Sequence, residues 1–298
     1  MNMRRIDAHQ HFWRLSRGDY GWLRPDAPGL APLYRDFLPA ELDPLLRHHG
    51  VRRTVLVQAA PTEAETEFLL ALADEATRVA GVVGWVDLAD ARSAETLRRW
   101  ARHPLFRGVR PMLQDLPDPD WLDHAPHPAV LDRLVELGLR LDALVKPAQL
   151  PALQRFVQRH PELPVIVDHA AKPPLALGWD SEAVATWRRG LAELARHPQV
   201  SCKLSGLLTE ASPAQCRTHR LRIDLLRPVW DHLLECFGPQ RLLWGSDWPV
   251  LTLAAGYDAW VEASTALIYE LPREQGELVW QGNAVRVYGL LDPEELHP

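Results

Sequence analysis

Short apolar runs rich in β-branched residues alternate with longer amphipathic segments along the 298-residue chain. Strands that alternate with helices form parallel sheets. Eight such units in a chain of this length favour an α/β fold of the (β/α)8 TIM barrel type, which typically takes about 250 residues. The eight predicted strands are RIDAHQHF from Arg5, RTVLVQA from Arg53, VAGVVGWVD from Val79, FRGVRPM from Phe106, LRLDALVK from Leu139, PVIVDHA from Pro164, VSCKLSG from Val200 and LLWGSDWPV from Leu242.

Two of the predicted helices carry local start or stop signals. Thr62 and Glu65 have the T-x-x-E spacing of a capping box, which predicts that a helix begins after Thr62. Ser212 and Gln215 have the same type of spacing further along the chain. Pro228 lies inside the segment that follows and predicts a break into two helices, because proline lacks the backbone N–H and clashes with the preceding turn.

The chain shows no sign of a domain boundary. No low-complexity linker or shift in composition divides it, and no G-x-G-x-x-G follows a strand as it would in a nucleotide-binding open sheet. We therefore predict a single barrel domain over residues 1–298, with its working groups at the carboxyl ends of the strands.

Composition excludes several classes of partner. A net charge of −6 offers no basic face for nucleic acid, and no apolar run approaches the roughly 20 residues of a membrane span. Cys202, Cys216 and Cys236 form no CxxC pair and predict reduced thiols. These features indicate a cytoplasmic protein that acts on small molecules, and they leave its oligomeric state open.

The first predicted strand carries two histidines. Side chains alternate between the faces of a strand, so Asp7, His9 and His11 are expected to point one way while Ala8 and Gln10 point the other. A lone histidine on a strand is more often a hydrogen-bonded core residue than a ligand. Two on one face make a metal site or an acid–base site about as probable as a structural role.

Two further groups lie at strand ends that a closed barrel brings near this pair. His169 lies at the end of the predicted sixth strand and Asp247 at the end of the predicted eighth, which closes the barrel against the first. Taken alone, Asp247 fits a turn or helix-cap residue better than a functional one, as is common for a Ser-Asp pair. Together, His9, His11, His169 and Asp247 are sufficient ligands for one Zn²⁺-like ion, or a proton-transfer cluster that works without metal.

Cations and aromatic residues also fall at strand ends. Arg110 on the fourth strand and Lys203 on the seventh would bind an anionic substrate or a developing oxyanion, or else serve as structural partners of Asp168 or Asp247. Lys146 and Lys172 are further candidates for substrate contacts. Four tryptophans near strand ends offer flat apolar faces suited to a sugar ring, namely Trp13, Trp22, Trp85 and Trp248.

These features together resemble the amidohydrolase superfamily, in the amidohydrolase-related branch that includes sugar lactonases and 2-pyrone-4,6-dicarboxylate lactonase. The similarity covers nearly the whole chain and rests on phrases in a fixed order, namely DAHQHFW, VVGWVDL, GVRPMLQ, VDHAAKP, CKLSG, GSDWPV and GNAVRVYGL. It implies a barrel of the metal-dependent hydrolase type. It also implies that His9, His11, His169 and Asp247 form the metal site, with Arg110 and Lys203 as substrate contacts.

The chain departs from the two-metal members of that superfamily. The fourth strand has no lysine or glutamate ligand and the fifth has no histidine, so the expected cofactor is one divalent metal, zinc by preference, or none. The resemblance implies hydrolysis of a sugar-acid lactone, such as one derived from L-fucose or L-rhamnose, by water activated at Asp247. The alternatives are a single-metal decarboxylase of the same superfamily and a non-catalytic barrel that binds a small ligand.

Overall fold

Eight parallel strands follow one another around one sheet in chain order, so the predicted (β/α)8 barrel is confirmed. The computed structural model describes residues 4–291. The prediction of one domain over residues 1–298 extends beyond this range and stays a prediction. The strands are β1 (Arg5–Gln10), β2 (Val51–Val57), β3 (Val79–Gly84), β4 (Phe106–Val109), β5 (Arg140–Ala143), β6 (Val165–Val167), β7 (Val200–Leu204) and β8 (Leu242–Trp244).

The helices pack around the outside of the sheet. Their apolar faces contact the outward side chains of the strands in one continuous core. A π-helical segment, Leu278–Gly282, joins the last two helices. The helices are α1 (Pro39–His48), α2 (Glu63–Glu75), α3 (Ser93–Trp100), α4 (Trp121–His124), α5 (Pro128–Glu136), α6 (Leu150–Arg159), α7 (Glu182–Leu194), α8 (His219–Phe237), α9 (Tyr257–Ile268), α10 (Arg273–Glu277) and α11 (Asn283–Tyr288).

The predicted break at Pro228 is wrong. Helix α8 runs through this proline, and its buried residues Val229, Trp230 and Leu233 continue the apolar face against the core. Packing of that face offsets the lost backbone hydrogen bond. The chain instead interrupts the helix before Thr218, whose hydroxyl accepts a hydrogen bond from the Leu221 N–H at 3.2 Å.

The barrel closes between β1 and the segment that follows β8. The Asp247 N–H donates to the His9 carbonyl at 2.8 Å, and the His11 N–H donates to the Trp248 carbonyl at 2.7 Å. The same residues that supply candidate functional side chains therefore supply the backbone bonds that join the two ends of the sheet.

The predicted orientation of Asp7 is wrong, because β1 contains a bulge. Asp7 pairs with Thr54 of β2 but Gln10 pairs with Leu56, so β1 has one residue more than its partner over this stretch. The Asp7 carboxylate accepts hydrogen bonds from the Ser246 N–H at 2.8 Å and from the Tyr257 hydroxyl of α9 at 3.1 Å. It therefore does not share the face of His9 and His11, and it ties β1 to the segment after β8.

The end of the barrel where the strands begin is sealed by the last helix. Ala284, Val287 and Tyr288 of α11 form an apolar cluster with strand residues that include Ile6 and Ala8. The Asn283 amide also donates to the Leu242 carbonyl at 2.8 Å. The opposite end, where the strands finish, is therefore the one left open to a ligand.

The start of α2 agrees with the prediction only in part. The Thr62 hydroxyl accepts a hydrogen bond from the Glu65 N–H at 3.1 Å, as expected for the helix cap. The Glu65 carboxylate does not complete the capping box, because it accepts hydrogen bonds from Ala59 N–H at 3.0 Å and Ala60 N–H at 2.7 Å instead. Burial raises the pKa of Glu65 to about 8. This buried side chain holds the loop after β2 against α2.

Two predictions about cysteines and membrane spans also bear on the fold. Cys202, Cys216 and Cys236 are free thiols. No helix within residues 4–291 combines the length and the apolar character needed to cross a membrane.

We predict that Glu65→Gln changes how stability depends on pH. The pKa of Glu65 is raised in the folded chain, so its contribution to stability is complete below the ordinary glutamate pKa and is lost as pH rises toward about 8. Between about pH 5 and about pH 8, the free energy of unfolding of the parent protein should fall relative to that of Glu65→Gln. Urea unfolding of both proteins across this range measures the difference, and parallel pH profiles would contradict the assignment.

Candidate active site

Four side chains meet at the open end of the barrel. Asp247 Oδ1 lies 3.3 Å from His11 Nε2 and 3.7 Å from the Nε2 atoms of both His9 and His169. The Nε2 atoms of His9 and His11 are 3.1 Å apart. The structure therefore brings together the residues that the sequence predicted to converge, and the ligand atoms point at one small volume.

Each imidazole is held through its other ring nitrogen. His11 Nδ1 donates to the Val57 carbonyl at 2.8 Å, and His169 Nδ1 lies 2.9 Å from the Ser205 hydroxyl. His9 Nδ1 lies 3.3 Å from Asp168 Oδ1, which can accept its proton. Such bonds fix the ring orientation, and with the proton on Nδ1 each Nε2 lone pair is directed at the centre, as in histidines that bind metal.

The charges at the centre suit a divalent cation. Burial lowers the pKa of His9 and His11, and lowers the pKa of His169 to about 4, so all three rings are neutral at pH 7. Burial would raise the pKa of Asp247, but the surrounding imidazoles outweigh it and hold the pKa below its ordinary value. Three neutral imidazoles and one carboxylate form a donor set of the type that binds zinc.

The backbone around the site adopts conformations that sequence patterns do not reveal. His169, Ala170, Ala171 and Lys172 have φ between 50° and 58°, and Asp247 has φ 61°. A left-handed conformation costs roughly 1–2 kcal/mol for each residue other than glycine. The Trp187 indole, which donates to the Ala170 carbonyl at 2.7 Å, helps to hold this turn. The turn directs both His169 and Lys172 toward the open end of the barrel.

Gly206 makes room for the same cluster. Its φ is 61°, and a Cβ at this position would lie 2.5 Å from His169 Nδ1 and 3.1 Å from Asp247 Oδ2. The glycine that ends the CKLSG phrase is therefore required both by its backbone conformation and by the close approach of two site side chains.

Arg110 lies in the wall of the cavity above the four residues. Its guanidinium donates to the Gln58 carbonyl and lies 3.4 Å from His9 Nε2 and 3.6 Å from Asp168 Oδ2. The cavity has a volume of about 250 Å³. Its lining residues are His11, Trp22, Ala59, Arg110, Met112, Gln114, Asp115, Leu144, His169, Lys172, Asp247 and Val250.

Lys203 lies beneath the cavity and does not line it, contrary to the expected substrate contact. Its fully buried ammonium lies 2.6 Å from Asp142 Oδ2, 2.9 Å from Asp168 Oδ1 and 3.0 Å from His9 Nδ1. The Tyr288 hydroxyl donates to the same Asp142 oxygen at 2.8 Å. The side chain is short of the cavity because two buried carboxylates hold its charge inside the barrel, which is the structural alternative raised from the sequence.

The four candidate tryptophans and Lys146 do not all reach the catalytic cavity. Trp22 lines the cavity, whereas Trp13 and Trp248 are buried with Phe37 packed against both rings. Trp85 lines a separate cavity. Lys146 lies at the surface, 3.5 Å from Asp115.

The structure adds lining residues that the sequence did not single out. Met112, Gln114 and Asp115 come from the loop after β4. Their only signal was proximity to Arg110 in the GVRPMLQ phrase, because loop residues have no periodicity that predicts where they point.

Histidines at the ends of the first and sixth strands meet an aspartate that follows the eighth strand, all at the carboxyl end of the barrel. This arrangement is typical of the barrel hydrolases. Residues 6–290 match the family described as amidohydrolase. The chain belongs to this family, and the resemblance seen in its sequence is confirmed.

Relatives of known name cover most of the chain. A *Burkholderia ambifaria* protein named L-fucono-1,5-lactonase is 48% identical over 262 residues, which are 86% of this chain and 85% of that protein. One of the same name from *Burkholderia multivorans* is 40% identical over 307 residues and covers 99% of each chain. A crystal structure of an amidohydrolase from *Burkholderia multivorans* with bound zinc has a TM-score of 0.87 at 39% identity, over 96% of this chain and 99% of that one.

We predict that Gly206→Ala disrupts the site, whereas Gly138→Ala does not. Both glycines have φ 61°, but a Cβ at Gly138 meets nothing within 4 Å. Each substitution should lower the free energy of unfolding by about 1 kcal/mol through backbone strain. Only Gly206→Ala displaces His169, so only this variant should lose zinc affinity in a titration. Equal zinc affinity of the two variants would contradict the close approach at Gly206.

Proposed function

We propose that this chain hydrolyses the lactone of a sugar acid, with L-fucono-1,5-lactone as the first candidate. The single observation that carries the proposal is the Asp247 carboxylate within 3.7 Å of three imidazole nitrogens, on the floor of a cavity with Arg110 in its wall. The names and identities of the two *Burkholderia* relatives support the choice of lactone.

The proposed cofactor is one divalent metal, zinc by preference, held by His9, His11, His169 and Asp247. The convergence of His9, His11 and Asp247 supports this ligand set, as does the outer bond on each imidazole Nδ1. A bound zinc ion acts as a Lewis acid and lowers the pKa of water toward about 7, which supplies a nucleophile near neutral pH.

In the proposed reaction, Asp247 moves the proton. Its low pKa keeps the carboxylate ionised, so it accepts a proton from the attacking water. When the bond between the carbonyl carbon and the ring oxygen breaks, the ring oxygen leaves as an alkoxide, which is far more basic than the carboxylate and takes this proton from Asp247. The products are the open hydroxy acid and the regenerated carboxylate.

The cavity walls hold the lactone and stabilise its charge. Arg110 and Lys172 line the cavity, and Arg110 would stabilise the tetrahedral oxyanion, a role that Lys203 cannot fill from beneath His9. The Lys172 ammonium lies 3.0 Å from Glu210 Oε1 and would contact the substrate from that pair. Gln114 Oε1 is buried without a hydrogen-bond donor among residues 4–291, so it is free to accept from a sugar hydroxyl. Trp22 offers an aromatic face to the ring.

The alternatives from the sequence differ in what they release. A decarboxylase would release CO₂ without adding water. A non-catalytic barrel would bind its ligand and leave it unchanged. The complete set of three imidazoles and one carboxylate favours an enzyme over a binding protein.

The three free thiols fit a reducing compartment, so a cytoplasmic location remains part of the proposal.

A panel of sugar-acid lactones tests the proposed function. We expect acid release from L-fucono-1,5-lactone, measured with a pH indicator, and about one metal ion per chain in the active protein. Exhaustive chelation should remove activity and zinc should restore it. No hydrolysis across the panel, together with CO₂ release from an aromatic acid, would favour the decarboxylase instead.

We predict that Asp247→Asn lowers kcat on the order of 10³-fold, because the amide cannot accept the proton of water. Asparagine tolerates the left-handed backbone at φ 61° and keeps one oxygen for the metal, so the melting temperature and the metal content should change little. His9→Ala is the matched comparison, since it should lower metal content and kcat together. An Asp247→Asn protein with near-normal kcat would exclude Asp247 as the base.

A further inference from the structure

A second cavity, larger than the catalytic one, opens over the loops that follow β1 to β4. Its volume is about 620 Å³, against about 250 Å³ for the catalytic cavity. Its walls include the side chains of Trp22, Trp85 and Trp121, and we call it the tryptophan chamber. The reaction proposed above makes no use of Trp85 or Trp121.

The tryptophan chamber adjoins the catalytic cavity. Trp22, Met112 and Asp115 line both, so the two cavities are immediate neighbours along this border. Trp22 is held in this shared wall by a hydrogen bond from its indole to the Ala59 carbonyl at 2.7 Å. Ala59 is in turn anchored by the buried Glu65.

The two outer tryptophans have unused hydrogen-bonding capacity. Trp85 and Trp121 are half-buried, and their indole N–H groups donate to no acceptor among residues 4–291. A half-buried indole offers an apolar face together with a donor at its edge, which suits a ring with polar substituents.

The charges of the lining narrow the class of ligand further. The tryptophan chamber has three carboxylates among its lining residues, those of Asp19, Asp87 and Asp115, and no lysine or arginine, although Arg17 pairs with Asp19 at 2.7 Å and Lys146 lies 3.5 Å from Asp115 outside the lining. Carboxylates accept hydrogen bonds from hydroxyl groups but repel another carboxylate or a phosphate. The cations Arg110 and Lys172 lie only in the catalytic cavity, so the reacting ester belongs there and a neutral polyhydroxylated group belongs in the chamber.

We propose that the tryptophan chamber is a subsite for a second, neutral sugar ring attached to the lactone. This inference rests on the proposed function and extends it to lactones of glycosylated aldonic acids. Water adds across the ester bond in the catalytic cavity, and the glycosidic bond to the second ring remains intact. Trp85 and Trp121 stack on this ring.

The test compares two lactones that differ only in the second ring. One is L-fucono-1,5-lactone, and the other is the 1,5-lactone made by oxidising galactosyl-(1→4)-L-fucose. We expect kcat/KM of the parent protein to be about tenfold higher for the galactosylated lactone, because stacking on indole faces is lost with the smaller one. Equal or lower kcat/KM for the galactosylated lactone would overturn the proposal.

Substitutions in the tryptophan chamber should affect only the longer substrate. Trp85→Ala and Trp121→Ala should each lower kcat/KM about tenfold for the galactosylated lactone and leave L-fucono-1,5-lactone within about twofold, which also reports on folding. Tyr269→Ala is the control, since Tyr269 is an exposed aromatic side chain that lines neither cavity. Equal losses on both substrates would overturn the proposal.

A binding measurement separates this proposal from the proposed function. Calorimetric titration compares galactosyl-L-fuconate with L-fuconate on the parent protein and on Trp85→Ala. If neither lactone is hydrolysed, the proposed function fails. Binding of the galactosylated acid about tenfold tighter, with loss of that preference in Trp85→Ala, would still support the subsite. Equal affinity for the two acids would overturn it.

Discussion

The closure of the barrel and the assembly of its site depend on the same backbone contact. His9 and His11 bond through their main chains to Asp247 and Trp248, so the first strand and the last loop cannot join without bringing their side chains together. Asp7 reinforces this contact by accepting from the Ser246 N–H. A site built on such bonds has little freedom to open, which keeps the three imidazoles and the carboxylate of Asp247 at short distances from one another.

Beneath the site, the barrel holds charge where most barrels of this type pack aliphatic layers. Lys203 pairs with Asp142 and Asp168, and all three are fully buried. The dehydration of such charges is costly, so this arrangement is weak evidence for stability. Its value lies in orientation, because it fixes Asp168 beside His9 Nδ1 and so holds the imidazole that faces the centre.

The sequence predicted the barrel and the converging tetrad because alternating strands and helices leave few topologies, and strand ends meet at one edge. It could not predict the β1 bulge, since one extra residue leaves no mark on a hydrophobic pattern, so Asp7 was placed on the wrong face. The VDHAAKP segment also did not predict its left-handed turn, because glycine is the usual signal for such a turn and this one contains none. The prediction that Lys203 contacts substrate does not match its buried position. The place of a lysine on a strand does not tell whether its ammonium group reaches the cavity or pairs with carboxylates below it.

The chain order of these parts has a consequence for biosynthesis. His9 and His11 leave the ribosome before the rest of the site. Asp247 emerges only after all eight strands, and so does Tyr288, which contacts Asp142. Until the segment after β8 has been made, a nascent chain lacks both the closing backbone bonds and the Asp247 carboxylate. The four side chains of the site therefore cannot come together until the segment after β8 has been translated.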